Sequence, residues 1–358
     1  MKAGAGTLLE GFARLEKKCN GAQPFWLKEL RQAAFQWVSE RGFPSPKDDA
    51  WKYTRVGPIL EVPFEPAEPG TGRRLSHQVI RHLAADVGGI QLVFVNGTFA
   101  PALSSLTGLP RGVKVKSLAG ALVEEGERLE PILSRPFRDQ PHAFTALNAA
   151  LAEDGAFVEI PPKTALYEPI HLLYLTDTAD SALASHPRSI IHAGAGSRVS
   201  ILESYAGIPG DVYLTNAVTQ VVLEEDATVE HYKLQNEAET AFHVALLDVR
   251  QKAGSRLSSL SLALGSSIAR HEVKVRLEAA GASVILNGLY LPRGEQHLDN
   301  PTTIEHAAPG CTSRELYKGV IDGHGRGVFD GRIIVQPGAA KTDASQTNKN
   351  LLLSEGAQ

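Results

Sequence analysis

The chain has 358 residues, of which 43% are apolar and 6% aromatic, and its formal net charge is −4. This small net charge excludes a broad electrostatic attraction to nucleic acid or to an anionic membrane surface. No apolar run reaches the roughly 18 residues that a membrane span needs, and two distant cysteines, Cys19 and Cys311, favour a reducing compartment such as the cytoplasm over a disulfide framework.

Residues 1–60 are predicted to form an N-terminal helical segment. Leu27 and Leu30 fall at the spacing of one helix face, and Gly42 follows that pattern as a C-terminal stop. The proline-rich stretch 58–70 then predicts an extended connector. We therefore expect a boundary between the helical segment and the next part of the chain.

Residues 71–160 are predicted to form a mixed α/β lead-in. A buried strand over 90–95 runs into an Asn-Gly turn at 96–97, because Asn and Gly adopt positive φ at little cost. Residues 144–151 show helical spacing, and residues 157–160 form a short apolar strand pattern.

A turn signal recurs about every 14 residues in the second half of the chain. Counted at every second turn from Gly196, the steps are 30, 28, 27, 29 and 28 residues, and the runs between them alternate apolar and polar, as in 272–277. Two strands per period without a helix predict a mainly β fold, a β-solenoid in which each coil has two main faces, over residues 161–358. The predicted turns are at Gly196, Gly210, Asp226, Thr240, Gly254, Gly265, Gly281, Gly294, Gly310, Gly325 and Gly338.

The last residues have the pattern of a strand rather than that of a cap. The apolar run 351–353 should pair with a further coil, whereas terminal repeats normally present a polar outer face. We therefore expect the natural protein to continue beyond Gln358.

The richest polar segment covers residues 296–318. Cysteine, histidine and glutamate together can bind a soft or borderline metal, although polar side chains also stack as structural ladders in solenoid turns, and for each residue that alternative stays open. The candidate site residues are His297, Glu305, His306, Cys311, Arg314 and Lys318.

Other chemistry finds little support in the sequence. There is no nucleotide-binding loop, no Gly-x-Ser-x-Gly elbow and no Cys-x-x-Cys. The only tight acidic group, residues 224–226, falls where a turn is due. A polysaccharide-active or polysaccharide-binding β-helix and a cofactor-free structural solenoid remain the alternatives.

Several short stretches resemble the motifs of one known protein family, and they occur in the same order along the chain. The N-terminal half contributes Trp51-Lys52-Tyr53-Thr54, residues 94–97, residues 144–150 and Asp154-Gly155. The C-terminal half contributes residues 297–300, 305–306, 311–319, 328–331 and 341–353. Together they resemble the SufB/SufD family of iron–sulfur cluster assembly proteins, and its SufD-type subunits in particular.

This resemblance implies a right-handed parallel β-helix core flanked by helical segments. It also implies a scaffold subunit of an assembly complex, without catalytic turnover of its own. The implied partners are a SufB-type paralogue, bound through the β-helix, and a SufC-type ATPase, bound through C-terminal helices expected after Gln358. A transient iron–sulfur cluster would form at the interface with the paralogue. A flavin on the assembled complex and a homodimer of the isolated chain are both left open.

The resemblance also suggests roles for particular residues. The metal-ligand motif of the family is expected after Gln358, and the shortage of cysteines favours a SufD-type over a SufB-type subunit. Arg314 and Lys318 would orient or neutralise anionic sulfur species. Residues 320–353 are the expected pairing region, because an uncapped β edge can accept another strand.

Overall fold

A computed structural model describes most of the chain, and its secondary structure is mainly β. The described residues are 3–19, 23–67, 74–84, 87–139, 141–179 and 181–358. The prediction of an extended connector over 58–70 is wrong in its first part, because Gly57–Glu61 forms a short helix. Residues 68–70 of that stretch lie outside the described residues.

Helices are concentrated in the first 151 residues. They are α1 (Ala3–Cys19), α2 (Phe25–Arg41), α3 (Gly57–Glu61), α4 (His77–Leu83), α5 (Leu118–Leu133), α6 (Arg135–Asp139) and α7 (Ala143–Leu151), with short 3-10 turns at Asp49–Trp51 and Pro101–Leu103. The predicted helix that ends before Gly42 is confirmed as α2, and the predicted helix over 144–151 is confirmed as α7.

Strands fill the rest of the chain. The early strands are β1 (Glu65–Pro66), β2 (Ile90–Val95), β3 (Thr98–Phe99), β4 (Lys114–Ser117), β5 (Ala156–Ile160), β6 (Ile170–Thr176), β7 (Leu183–Ser185) and β8 (Arg188–Ala193). The longer strands after them are β9 (Arg198–Gly207), β10 (Tyr213–Leu223), β11 (Thr228–Asn236), β12 (Phe242–Gln251), β13 (Arg256–Ala263), β14 (Ile268–Leu277), β15 (Ser283–Tyr290), β16 (His297–His306), β17 (Thr312–Ile321), β18 (Arg326–Val335) and β19 (Asp343–Leu352).

The strands form two facing sheets in which alternate strands of the chain are neighbours. Sheet A has the order β18-β16-β14-β12-β10-β8-β5-β4, with β7 and β1 at its side. Sheet B has the order β19-β17-β15-β13-β11-β9-β6-β2-β3. From β5 onward the ladders are parallel, so two strands make one coil and the predicted β-solenoid is confirmed.

The predicted turns mark where the chain crosses between the sheets. Eight of the eleven residues predicted as turns have positive φ, including Gly254 at 65° and Asp226 at 56°. In two further turns the positive φ falls on a neighbour of the predicted glycine: Ser266 in one and Gly323 in the other. Ten of the eleven predicted turns therefore contain a residue with left-handed backbone, and the turn at Thr240 does not.

The interior between the sheets is one continuous apolar core. Val229, Leu257 and Val284 occupy equivalent buried positions on successive strands of sheet B. Near the start of the solenoid, aromatic rings stack instead, with centroids 4.9 Å apart for Phe94 and Tyr174 and 4.8 Å for the next ring, Tyr205.

A second core joins the N-terminal helices to the outer face of sheet A. All residues of α7 are buried. Phe144 packs in one cluster with Phe242 and Val244, which point outward from β12. The Asn148 side chain donates hydrogen bonds to the Pro187 and Asn216 carbonyls at 3.0 and 2.8 Å. The helical segment is thus bonded directly to the solenoid backbone.

The Asp154 side chain connects three backbone segments at the first coil. Its buried carboxylate accepts backbone N–H bonds from Phe99 and Ala119 at 3.1 Å each and from Gly155 at 2.8 Å. Burial raises the pKa of this carboxyl, and the three N–H bonds offset part of that rise.

Asp154→Ala should lower the free energy of unfolding by at least about 2 kcal/mol, because buried N–H groups lose their acceptor. Urea unfolding followed by circular dichroism measures the change. Asp49→Ala, at an exposed position, is the matched control and should unfold like the parent. Equal midpoints for all three proteins would contradict this structural role of Asp154.

Candidate functional site

The candidate residues on β16 point to two different sides of sheet A. His297 and Glu305 face outward, and His306 faces the interior, because neighbouring residues of a strand alternate. Glu305 accepts bonds from Arg276 at 2.8 Å and from Gln336 at 2.7 Å. It therefore belongs to a row of ion pairs on the outer face.

His306 and Cys311 both lie in the interior and are fully buried. The His306 Nε2 atom is 2.9 Å from the Ser313 hydroxyl, and the Cys311 thiol is 3.3 Å from the Ala279 carbonyl oxygen, to which it donates. Within the part of the chain that the structure describes, no three His, Cys, Asp or Glu side chains converge closely enough to hold a metal ion.

The remaining two candidates lie on the outer face of sheet B. Arg314 forms an exposed ion pair with Asp343, its neighbour on β19, and Lys318 is exposed. The six candidates thus occupy the outer face of sheet A, the interior and the outer face of sheet B. They are close in sequence, but the fold does not bring them into a single pocket.

His297 takes part in a joint between the N-terminal segment and the solenoid. Thr54 donates its hydroxyl proton to Asp299, so the His297 Nε2 atom, 2.9 Å away, acts as donor to the Thr54 oxygen. Asp299 also pairs with the buried Arg270, whose guanidinium lies 4.1 Å from the centroid of the Trp51 ring. Burial lowers the pKa of His297, and the Asp299 charge opposes that shift.

A buried charged network in the middle of the solenoid was missed by the sequence analysis. The Glu203 carboxylate is 3.0 Å from the His231 Nε2 atom and accepts bonds from the Thr219 and Tyr205 hydroxyls. Burial would raise the pKa of Glu203, but His231 and the nearby Lys233 ammonium hold it at about 2. Glu203 is therefore an ionised carboxylate inside the core.

Lys233 is the cation of this network. It is 4% exposed, and its Nζ atom lies 4.9 Å from the Tyr205 ring centroid. Burial lowers the Lys233 pKa to about 8, against the opposing effect of Glu203 and Glu237. The signal was available in the sequence, because His231 and Lys233 occupy the same strand face as the core residue Val229.

A second interior polar group lies nearer the last coils. The Glu315 carboxylate is buried inside β17, and Asn300 and Thr302 face the same interior from β16. Burial raises the pKa of Glu315 to about 7, and the Thr302 hydroxyl offsets only part of that rise. The protonation of Glu315 therefore changes near neutral pH.

Comparison with known proteins accounts for nearly the whole chain. Residues 5–172 match a model described as the SufBD protein N-terminal region, and residues 174–358 match one described as the SUF system FeS cluster assembly, SufBD core domain. The chain belongs to the SufBD family. The two models meet at residue 173, between the N-terminal region and the longer strands of the solenoid.

SufBD relatives from several bacteria align with most of the chain. It is 28% identical over 350 residues to the iron–sulfur cluster assembly SufBD family protein slr0076 of Synechocystis, covering 95% of this chain and 76% of that protein. It is 26% identical to the iron–sulfur cluster assembly protein SufD of Escherichia coli and 25% identical to SufD of Bacillus subtilis. These alignments cover 91% and 94% of this chain, and 74% and 77% of the two relatives.

The stretches that carry the SufBD likeness in the N-terminal half are structural joints. Trp51 and Thr54 bind the outer face of sheet A through Arg270 and Asp299. The Asn96 side chain donates to the Asp177 carbonyl and accepts from the Asp177 N–H, both at 2.9 Å, and the Asn148 side chain donates to the Pro187 and Asn216 carbonyls. None of the described helices has both the length and the apolar character to cross a membrane.

Asp299→Ala should destabilise the protein by about 3 to 5 kcal/mol, because the buried Arg270 charge would lose its carboxylate. Asp343→Ala is a matched control, since Arg314–Asp343 is also an arginine–aspartate pair between neighbouring coils but is exposed. Its urea midpoint should equal that of the parent. Similar losses in both variants would contradict the assigned role of the joint.

Glu315→Gln should change how stability depends on pH. The folded-state pKa of about 7 lies above the ordinary value of 4.5, so ionisation of this buried group makes folding less favourable as pH rises from about 4.5 to 7. The free energy of unfolding of the variant should not show this decrease with pH. At pH 8 the variant should be more stable than the parent by up to about 3 kcal/mol. Urea unfolding at pH 5 and pH 8 tests this, and parallel pH profiles would contradict it.

Proposed function

We propose that this SufBD chain is a scaffold subunit in iron–sulfur cluster assembly. The observation that carries the proposal is the match of both SufBD family models, in order, over residues 5–172 and 174–358. Relatives named as iron–sulfur cluster assembly proteins align with more than 90% of the chain. The chain would act by binding partners and not by turning over a substrate, and we expect it to work in the cytoplasm.

A SufB-type paralogue would bind at the last coil. Among the described residues, β18 and β19 are the outermost strands of their sheets. The Gly327 N–H of β18 bonds to the Gln358 carbonyl at 2.8 Å, and no further described strand pairs with either edge. Val335, Leu351 and Leu352 on these strands are 53%, 58% and 52% exposed. An apolar, unpaired β edge favours addition of strands from another chain, which supports residues 320–353 as the pairing region.

A SufC-type ATPase would bind the assembled complex and would supply the energy of ATP hydrolysis. The solenoid suits the transmission of that movement. Its coils are joined by continuous parallel ladders, and the Asp299 and Asn148 joints fix the N-terminal segment to it. A displacement at the last coil would therefore move the solenoid and the N-terminal segment together.

The iron–sulfur cluster would be a transient cargo at the interface with the paralogue. Six residues stay predicted site residues: His297, Glu305, His306, Cys311, Arg314 and Lys318. For each of them the alternative to a binding role is a structural contact or a solvent-exposed position without one. A flavin, if bound, would belong to the assembled complex. The isolated chain could pair with itself through the same edge.

Leu351→Glu should reduce recovery of the SufB-type paralogue at least ten-fold when the two proteins are co-expressed and purified without oxygen. A charge on the apolar edge would have to be desolvated in the complex. Val123→Glu, at a position 86% exposed on α5, is the matched control and should leave recovery unchanged. Both variants should melt at the temperature of the parent protein.

The same purification tests the function itself. Co-purification of a second β-helix subunit and an ABC-type ATPase from the native cells is the expected result. Recovery of the chain alone, colourless and self-associated, would overturn the proposal in favour of a cofactor-free structural solenoid. Retention on a polysaccharide column would favour the carbohydrate alternative instead.

A further inference from the structure

The outer face of sheet B carries large apolar side chains in contact with solvent. Tyr232, Ile285 and Leu316 are 41%, 45% and 38% exposed, and the leucines around them are half-buried. We call this set the leucine face; it consists of Leu202, Tyr232, Leu234, Leu260, Leu262, Ile285, Leu289 and Leu316.

These side chains form ladders across neighbouring coils. One ladder places Leu202, Tyr232 and Leu260 at paired positions of β9, β11 and β13. A second pairs the leucines at positions 234, 262 and 289 on β11, β13 and β15. Contiguous apolar patches of this kind are uncommon on monomeric proteins and mark interaction surfaces.

The beginning of the same sheet face is covered by a helix of this chain. The second ladder is interrupted by Ser204 on β9 and continues at Leu173 on β6 and Val93 on β2. The latter two pack in one buried cluster with Leu75 and Ile80 at helix α4. That cluster reaches β9 through Ala206. Beyond β9, the exposure of Tyr232 shows that the described residues leave the face open.

The spacing of the coils suits a helix as occupant. Neighbouring strands lie about 4.8 Å apart and a helical turn rises about 5.4 Å, so a helix that crosses the strands places one side chain near each coil. The five strands from β9 to β17 span roughly 19 Å, which corresponds to about 13 residues of helix. The required apolar positions recur every three or four residues.

The far end of the face is basic. In the second ladder Leu289 is followed by Lys318 on β17 and Lys349 on β19, and both lysines are exposed. Neither forms an ion pair with a carboxylate among the described residues. A helix that carries acidic side chains at the end over these two lysines would be favoured at this surface by charge complementarity.

We propose that the leucine face binds an amphipathic α-helix of a partner protein, with acidic residues of that helix over Lys318 and Lys349. This surface is distinct from the strand edge at β18 and β19, because it lies on the outer side chains of the sheet and not on its unpaired backbone. The assignment gives Lys318 a role in recognising a protein, independent of any sulfur chemistry.

Site-specific photo-crosslinking in the native cells tests this proposal. A benzoylphenylalanine residue replaces Tyr232 in the full chain, and the control replaces Tyr167, which is 89% exposed. We expect an adduct specific to position 232, mapped by mass spectrometry to a helix with three-to-four-residue apolar spacing and an acidic end. Leu262→Arg and Lys318→Glu should each lower its yield at least five-fold.

A peptide assay in parallel uses the purified full chain. The probes are two labelled 15-residue helical peptides with the same leucine stripe, one with glutamates and one with lysines at the end of the helix. The glutamate peptide should bind at least five-fold more tightly by fluorescence anisotropy, and Lys318→Glu should reverse that preference. Melting temperatures equal to the parent show that the substitutions leave the fold intact.

Several results would overturn the proposal. These are adducts at position 232 with a second copy of this chain, with lipid or with another part of the same chain, and equal adducts at positions 232 and 167. Peptide binding that is absent, or that does not change with peptide charge or with Leu262→Arg, would overturn it as well.

Discussion

Parallel pairing of successive coils is the constraint on which the rest of this molecule depends. Each strand binds the strand one coil away in register, so equivalent residues stand about 4.8 Å apart along the whole stack. Side chains of one kind therefore collect into ladders: aromatic rings at the start of the interior, charges in its middle, and leucines on the outer face of sheet B. A side-chain type that recurs at one position of successive coils therefore forms a row along the solenoid axis.

The buried charges give this repetition a unique register. Glu203 on β9 needs His231 and Lys233 on β11, and a shift of β11 by two residues would keep the same side chains inside but change these pairings. A uniformly apolar interior would tolerate such a slip far better. The network thus selects one pairing of otherwise similar coils.

The sequence predicted the repeat well because turn residues and strand alternation are local signals. The helix at Phe25–Arg41 and the crossings at Gly196 and Gly254 follow from such signals. The candidate site could not be predicted in the same way. Residues 296–318 are close in sequence, but alternation sends His306 inward and Glu305 outward, and the crossing after β16 moves the next residues to the other sheet.

Contacts between distant parts of the chain were beyond any local pattern. Nothing near Thr54 indicates that its partner is Asp299, and nothing near Trp51 indicates a guanidinium stacked on its ring. The family likeness marked these residues as recurrent without saying what they do. Their contacts give a physical reason for the likeness. Each contact attaches the N-terminal segment to the solenoid, which the solenoid repeats do not do by themselves.

The joint at Thr54 also determines the order in which the protein can mature on the ribosome. Its partner Asp299 lies 245 residues later in the chain. At about 5–20 residues per second, translation needs roughly 12 to 50 s to cover that interval. During this time Trp51 and Thr54 have no solenoid face to bind, so the contact between the N-terminal segment and sheet A closes only after β14 and β16 have been made.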